Sequence, residues 1–471
     1  MQNDYLKFLK SKKVGVQATG FDVSESEINP MLFPFQNETT RWALKLGRAA
    51  LLEECGMGKS AQFLEWSRHV AERTGKKVLI LSPLAVAHQT VREGSKFGIK
   101  ARYCRSQGEA IEMPEQIIVT NYDMLKEFDA RYYAGVVIDE SSILKSYTGQ
   151  TKRYILEQFK DTPYKLACTA TPAPNDHMEL GNHSEFLNAM RSTEMLQRWF
   201  INNTMKVGNY RLKGHAEKDF WRWVTSWAVC ISKPSDLGYS DEGFDLPPLN
   251  IEEHIVGVDH TRAHAEGQLF LFGALSATKM WKEKSETAMD RCLKAKEIST
   301  NDEALVIWCD TNDEADILKE LFPDSVEVRG SDSIRSKEEK LNAFSDGNVR
   351  VIITKPEIAG FGLNWQHAHE MTFVGVTYSF EKFYQCLRRE WRFGQQSKVN
   401  AKVIYAESEG SIIENLRRKQ GDHRIMQQAM NEAMRENGLG MKDKLQVVDY
   451  KAGAKIKLPE WVKTHSDQYT Q

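Results

Sequence analysis

Short aliphatic runs recur along the chain, separated by stretches of helical periodicity. Val78-Leu79-Ile80-Leu81, Ile117-Ile118-Val119, Val136-Val137-Ile138 and Leu166-Ala167-Cys168 form one set. Leu305-Val306-Ile307-Trp308, Val351-Ile352-Ile353, Met371-Thr372-Phe373-Val374 and Lys402-Val403-Ile404-Tyr405 form another. Continuous apolar runs of this kind are expected of strands buried on both faces of a parallel sheet. Their alternation with helices predicts α/β architecture, and two sets predict two sheets.

Between about 180 and 260 the pattern changes. Trp199, Trp221, Trp223 and Trp227 lie at helical spacing with few strand signals. This predicts a small helical insertion with its own aromatic core, in preference to a base-stacking surface. Ser232-Lys233-Pro234 through Asp245-Leu246-Pro247-Pro248 has the Pro, Gly and Ser content of a hinge. An amphipathic stretch, Ser411 to Asn437, ends at Gly438-Leu439-Gly440 and precedes a lysine-rich run near 451–463. The expected division is a first domain over 1–180, the insertion and linker over 181–260, a second domain over 261–425 and a C-terminal extension over 426–471. A length of 471 residues suits two domains.

Composition narrows the class without deciding the partner. Hydrophobic residues make up 41% and charged residues 27%, the balance of a globular protein. No apolar stretch has the length of a membrane span, and MQNDYLKFLKSKK lacks the apolar centre of a secretory signal. Seven scattered cysteines argue against a disulfide framework or a zinc site, so a reducing, cytoplasmic location is expected. The formal net charge of −2 gives no global basic signature, so binding of nucleic acid would need a local basic track.

The candidate chemistry begins after Ala49-Ala50-Leu51-Leu52, where Glu53-Glu54-Cys55-Gly56-Met57-Gly58-Lys59-Ser60 follows. Glycines at 56 and 58 let backbone N–H groups curl around phosphate oxygens at a helix start. Lys59 is placed to reach the β and γ phosphates, and Ser60 to bind Mg through its hydroxyl. The strict phosphate-loop pattern has Gly where this chain has Glu53. Val136-Val137-Ile138-Asp139-Glu140 ends a buried strand in two carboxylates. In a phosphate-loop protein the first holds Mg and the second orients or deprotonates water. Arg389 and Arg392 are spaced to share a helix face, and guanidinium groups grip phosphate with directed donors.

In order, these segments resemble the Swi/Snf-like ATPases of helicase superfamily two, in particular the compact members of bacteria and phages. Leu32 to Gln36 resembles the adenine-reading segment, with Gln36 at the base-contacting position, and Glu53 to Ser60 resembles motif I. Leu81-Ser82-Pro83-Leu84 resembles motif Ia, Thr120-Asn121-Tyr122 the next DNA-side motif, Asp139-Glu140-Ser141-Ser142 the DExx box and Thr169-Ala170-Thr171-Pro172 motif III. Arg329-Gly330 with Arg335 and Phe344 resembles motif IV, Thr354-Lys355 through Gly360-Phe361-Gly362-Leu363-Asn364 motif V, and Gln385 through Gln395 motif VI. Glu53-Glu54 stands where the family usually has Asp-Asp, and Tyr378-Ser379-Phe380 where it often has Trp-Asn-Pro.

The resemblance implies two RecA-like domains that close on ATP. Lys59, Asp139, Glu140, Arg389 and Arg392 would be catalytic. Gln36, Gly56, Gly58, Lys59, Ser60 and Gly362 would bind nucleotide, and Ser60 and Asp139 would hold Mg. The implied activity is an ATP hydrolase that moves on nucleic acid, foremost duplex DNA, with contacts mainly to phosphates. A clamp or scaffold switched by ATP to control a protein partner, and an RNA helicase, are the alternatives. No membrane partner is expected.

Overall fold

The computed structural model describes residues 18–145, 149–202, 210–258, 284–299, 302–359, 364–376 and 379–436. Gly360-Phe361-Gly362-Leu363 of the motif V segment, Tyr378 and the lysine-rich run lie outside them, as do residues 1–17.

The first sheet has seven parallel strands. β1 (Arg48–Glu53), β2 (Lys77–Ser82), β3 (Ala101–Tyr103), β4 (Ile117–Asn121), β5 (Tyr133–Asp139), β6 (Tyr164–Cys168) and β9 (Ala228–Ile231) take the order β3-β4-β2-β5-β6-β1-β9. All seven residues of β5 are buried, which is why its sequence is a continuous apolar run with no alternation. Between β6 and β9 the chain leaves the sheet through an antiparallel hairpin of β7 (Phe200–Asn202) and β8 (Tyr210–Leu212).

The second sheet is also parallel, with six strands. β10 (Leu249–Val256), β11 (Leu305–Cys309), β12 (Val326–Glu327), β13 (Val351–Thr354), β14 (Glu370–Val374) and β15 (Val399–Ala406) take the order β10-β15-β14-β11-β13-β12. Helices alternate with the strands of each sheet, as parallel crossovers require. The protein is therefore an α/β molecule of two parallel sheets, as the two sets of apolar runs predict, in the two RecA-like domains that the resemblance implies.

The insertion differs from expectation. Residues 181–260 are not an independent helical unit, because they supply β9 to the first sheet and β10 to the second. Trp199, Trp221, Trp223 and Trp227 are all buried and belong to the core of the first domain. The reason is local: the helix Glu217–Val224 leads through a short turn into β9, which pairs with β1 from Ala50 to Glu53. Burial leaves these indoles no face for a nucleic-acid base.

The boundary expected at 425 falls inside one helix, Gly410–Glu436. Its first turns place Ile412, Ile413 and Leu416 in a core of the second domain, and its last turns place Met426, Met430, Ala433 and Met434 in the core of the first. The backbone N–H of Cys230 on β9 reaches the Met434 thioether at 3.3 Å. No helix of the described residues is long and apolar enough to cross a membrane.

Candidate functional site: a cleft between the two sheets

Strand order explains the assembly of the first half of the site. β5, β6 and β1 are neighbours and parallel, so the loops leaving their carboxyl ends open at the same edge. Those loops carry Asp139-Glu140, Thr169 and the phosphate loop. The loop leaves β1 after Glu53 and enters the helix Lys59–Thr74 through Gly58, with Gly56 at φ 93° and Gly58 at φ 79°. Both values favour glycine. Gly56 also has little room for a side chain, since a Cβ there would lie 3.0 Å from the backbone nitrogen of Phe393.

Glu53, in the slot where a strict phosphate loop has glycine, is fully buried at the end of β1 and accepts from the Gln62 amide at 2.6 Å. Burial pushes its carboxyl up to about 7 against the attraction of Lys59. It is a strand residue in this fold, and the turn proper starts at Glu54.

The Lys59 ammonium donates to the carbonyls of Glu53 at 2.8 Å and Glu54 at 3.2 Å, which places it over the loop. Asp139 accepts from the Ser82 hydroxyl at 3.2 Å, and its backbone carbonyl accepts from the Tyr122 phenol. Ser82, read from sequence as part of a nucleic-acid-side motif, thus braces the carboxylate, and Tyr122 holds the backbone of the same residue. Burial raises the Asp139 carboxyl, and the adjacent Glu140 raises it further. Burial also raises Glu140, with Lys59 and Arg389 opposing. Glu140 sits at φ 55°, a left-handed conformation that costs a non-glycine residue on the order of 1 kcal/mol. Behind it, His183 is buried and pairs with the Ser141 hydroxyl at 3.0 Å.

The second domain faces this edge with three arginines. Arg388 and Arg389 end the helix Phe380–Glu390; Arg392 lies beyond it, where the chain turns through Gly394 at φ 89°. Arg389 and Arg392 therefore do not share a helix face as their spacing predicts, yet both line the same cleft. Burial lowers both, and with neighbouring Arg389 it pulls Arg392 down to about 10, still protonated at neutral pH.

Arg388, which spacing alone did not single out, makes the docking contact: it donates to the carbonyl of Cys55 at 2.7 Å and lies 3.5 Å from the Glu54 carboxylate. Gln427 of the long C-terminal helix reaches the other Glu54 oxygen at 3.2 Å. Burial alone would raise Glu54, but Arg388, His423, Tyr384 and the Cys55 N–H outweigh it and hold the carboxyl below its usual value.

Together these groups line a cavity of about 550 Å³. Gln36, Gly56, Gly58, Lys59, Ser60, Asp139, Glu140, Arg389 and Arg392 all border it. Gln36 accepts from the Phe33 N–H at 3.0 Å and donates to the Met57 carbonyl at 2.8 Å, so its amide ties the aromatic segment to the phosphate loop. Glu93 also borders the cavity, raised by burial and held in check by Ser60 and Arg392. No group of three or more His, Cys, Asp or Glu side chains among the described residues could by itself hold a metal. Ser60 and Asp139 suit Mg, a hard cation that takes one or two protein oxygens and completes its shell with water and phosphate.

No protein-family model matches the chain, and no curated protein matches it. Among solved structures, the Sulfolobus solfataricus SWI2/SNF2 ATPase core in complex with dsDNA is similar, at 18% sequence identity and a TM-score of 0.40, covering 88% of this chain and 98% of that chain.

Proposed function

We propose that the protein is an ATP hydrolase that drives movement along nucleic acid, with duplex DNA as the track. One observation carries the hydrolase reading: a single cleft is lined by Lys59, Ser60, Asp139 and Glu140 from one RecA-like domain and by Arg389 and Arg392 from the other. A left-handed phosphate loop at a helix N-terminus suits a polyphosphate. Buried, adjacent carboxylates suit a hydrated divalent cation and a general base.

In this reading Lys59 turns from the loop carbonyls toward the β and γ phosphates. Asp139 and Ser60 would hold Mg, which would supply neutralisation of developing charge on the phosphates. Glu140, raised by burial and fixed by its strained backbone, accepts the proton of the attacking water. Arg389 and Arg392 arrive with the second domain and stabilise charge on the transferring group. Arg388 and Glu54 set the approach of that domain to the phosphate loop.

The nucleic-acid part rests on the ordered motif resemblance. Contacts from motifs Ia, III and V would fall mainly on phosphates, so stimulation should be steeply salt-dependent and weakly sequence-dependent. The test measures ATP turnover with no nucleic acid, single-stranded DNA, duplex DNA and RNA. Stimulation by duplex DNA above RNA, with displacement of a triplex strand but no opening of a forked duplex, is the expected result. Strong fork opening would make the protein a strand-separating helicase. Stimulation by RNA alone would overturn the track, and turnover indifferent to all three would favour the ATP-switched clamp.

A further inference from the structure

The cleft has two chemically different ends. One holds Lys59 and the arginines. The other is walled by phenylalanines from three separate parts of the chain: Phe33 before the first helix, Phe244 in the linker and Phe393 in the second domain. The Phe244 and Phe393 rings lie 4.7 Å apart, Phe33 and Phe244 meet edge to face at 5.1 Å, and Phe33 and Phe393 do so at 6.1 Å. Phe244 is buried, whereas Phe33 keeps 44% of its surface exposed, unusual for a phenylalanine with so many aromatic neighbours.

Phe393 directly follows Arg392, and its backbone presses on Gly56 of the phosphate loop. One two-residue step of the second domain therefore carries a cation to the phosphate end and a π face to the aromatic end. Neither residue takes its position unless the domains are together.

We propose that Phe393 is a positioning residue that stacks on the nucleobase, with Phe33 and Phe244 behind it, and so makes a purine base a condition of domain closure. The inference rests on the reading of the cleft as a nucleoside triphosphate site. An aromatic wall favours the larger π surface of a purine over a pyrimidine. Because Phe393 belongs to the closing domain, base preference forms together with the catalytic arginines. Selection then falls on kcat as well as on KM, and triphosphates lacking a purine bind without completing the site.

The test compares ATP, CTP and inorganic tripolyphosphate on the full chain, in wild type and in the variants Phe393→Ala, Phe393→Leu and Phe393→Trp, each checked for a wild-type thermal melt. Leucine keeps the apolar packing and removes the π face, which separates stacking from plain domain contact. Wild type should prefer ATP to CTP by at least about tenfold in kcat/KM, equivalent to ~1.4 kcal/mol. The ratio should fall to within about threefold in Phe393→Leu and Phe393→Ala, with kcat for ATP reduced, and recover in Phe393→Trp. Tripolyphosphate affinity by calorimetry should be the same in all four.

A folded Phe393→Leu protein with the wild-type ATP-to-CTP ratio overturns the stacking role. If wild type turns over neither nucleotide, calorimetry decides. A preference for ATP that Phe393→Leu removes sustains the clamp while the hydrolase reading fails. Tripolyphosphate binding without any base preference overturns the clamp and leaves the phosphate site standing. Binding of none of the three overturns both.

Discussion

Two clusters of buried charge in this protein are built on opposite plans. In the second domain, Lys284, Arg291, Asp310, Glu314 and Glu409 interlock. Arg291 pairs with Glu314 and lies 3.8 Å from Glu409, and Lys284 lies 2.5 Å from Asp310 and 3.6 Å from Glu409. The remaining Glu314 oxygen caps the N–H groups of Asp310 and Thr311 at 2.8 and 2.9 Å. At the edge of the first sheet, Asp139 and Glu140 are buried side by side with like charge, and the nearest cations come from a loop lysine and from another domain. Mutual compensation makes the first cluster a rigid structural lock. The second keeps its demand for positive charge open, which is the condition under which a carboxylate pair does chemistry.

The sharpest way to break this comparison is to remove one member of the lock. Arg291→Met leaves Glu314 and Glu409 buried without their guanidinium and should cost about 3–5 kcal/mol of stability. Urea denaturation checks this; a loss below about 1 kcal/mol would mean that the lock contributes little. Lys59→Ala is its counterpart in the cleft. It should lower ATP turnover by about 10²–10³-fold with the thermal midpoint unchanged, read by steady-state hydrolysis and calorimetric melting.

Glu140→Gln sharpens the contrast further, because it removes one of two like charges. Turnover should fall by about a hundredfold, ATP should still bind, and the melting temperature should be no lower than that of wild type. A destabilised Glu140→Gln protein would show that the carboxylate pair is structural after all.

The smallest effect comes from His183, which stands between the two plans: fully buried, yet touching Ser141 next to the carboxylates. Burial lowers its ring to about 4. The folded state keeps the ring neutral while the unfolded chain takes up a proton below about 6.5, so stability is intact above 6.5 and declines as pH falls toward 4. Between pH 6.5 and 5.5 the loss should be about 1 kcal/mol, and His183→Gln should flatten that slope in melts taken across the interval.

The same contrast marks what the sequence makes legible. Buried parallel strands are continuous apolar runs, so eight of the nine interior strands stand out, and Ala49 to Leu52 marks the ninth, β1. β9 escapes because it is four residues long and directly follows a tryptophan-rich helix. β10 escapes because it is an edge strand paired with β15 alone and only its last residue is buried, so its apolar residues form no run. The phosphate loop and Asp139-Glu140 are legible because their chemistry is contiguous in sequence. Arg388, His183, Glu93 and Phe393 acquire their surroundings only in space. Glu54 meets Gln427 across 373 residues, and no local pattern encodes that meeting.

The long helix Gly410–Glu436 has a consequence for how the protein is made. Its final turns fill the first domain's core against β9, and Cys230 meets Met434 across 204 residues of chain. A ribosome that has released the first sheet has therefore not yet supplied the methionines that cover it. The nascent domain carries an apolar face at β9 and the tryptophan helix until the long helix has been made, so a segment translated after the whole second sheet completes the core of the first.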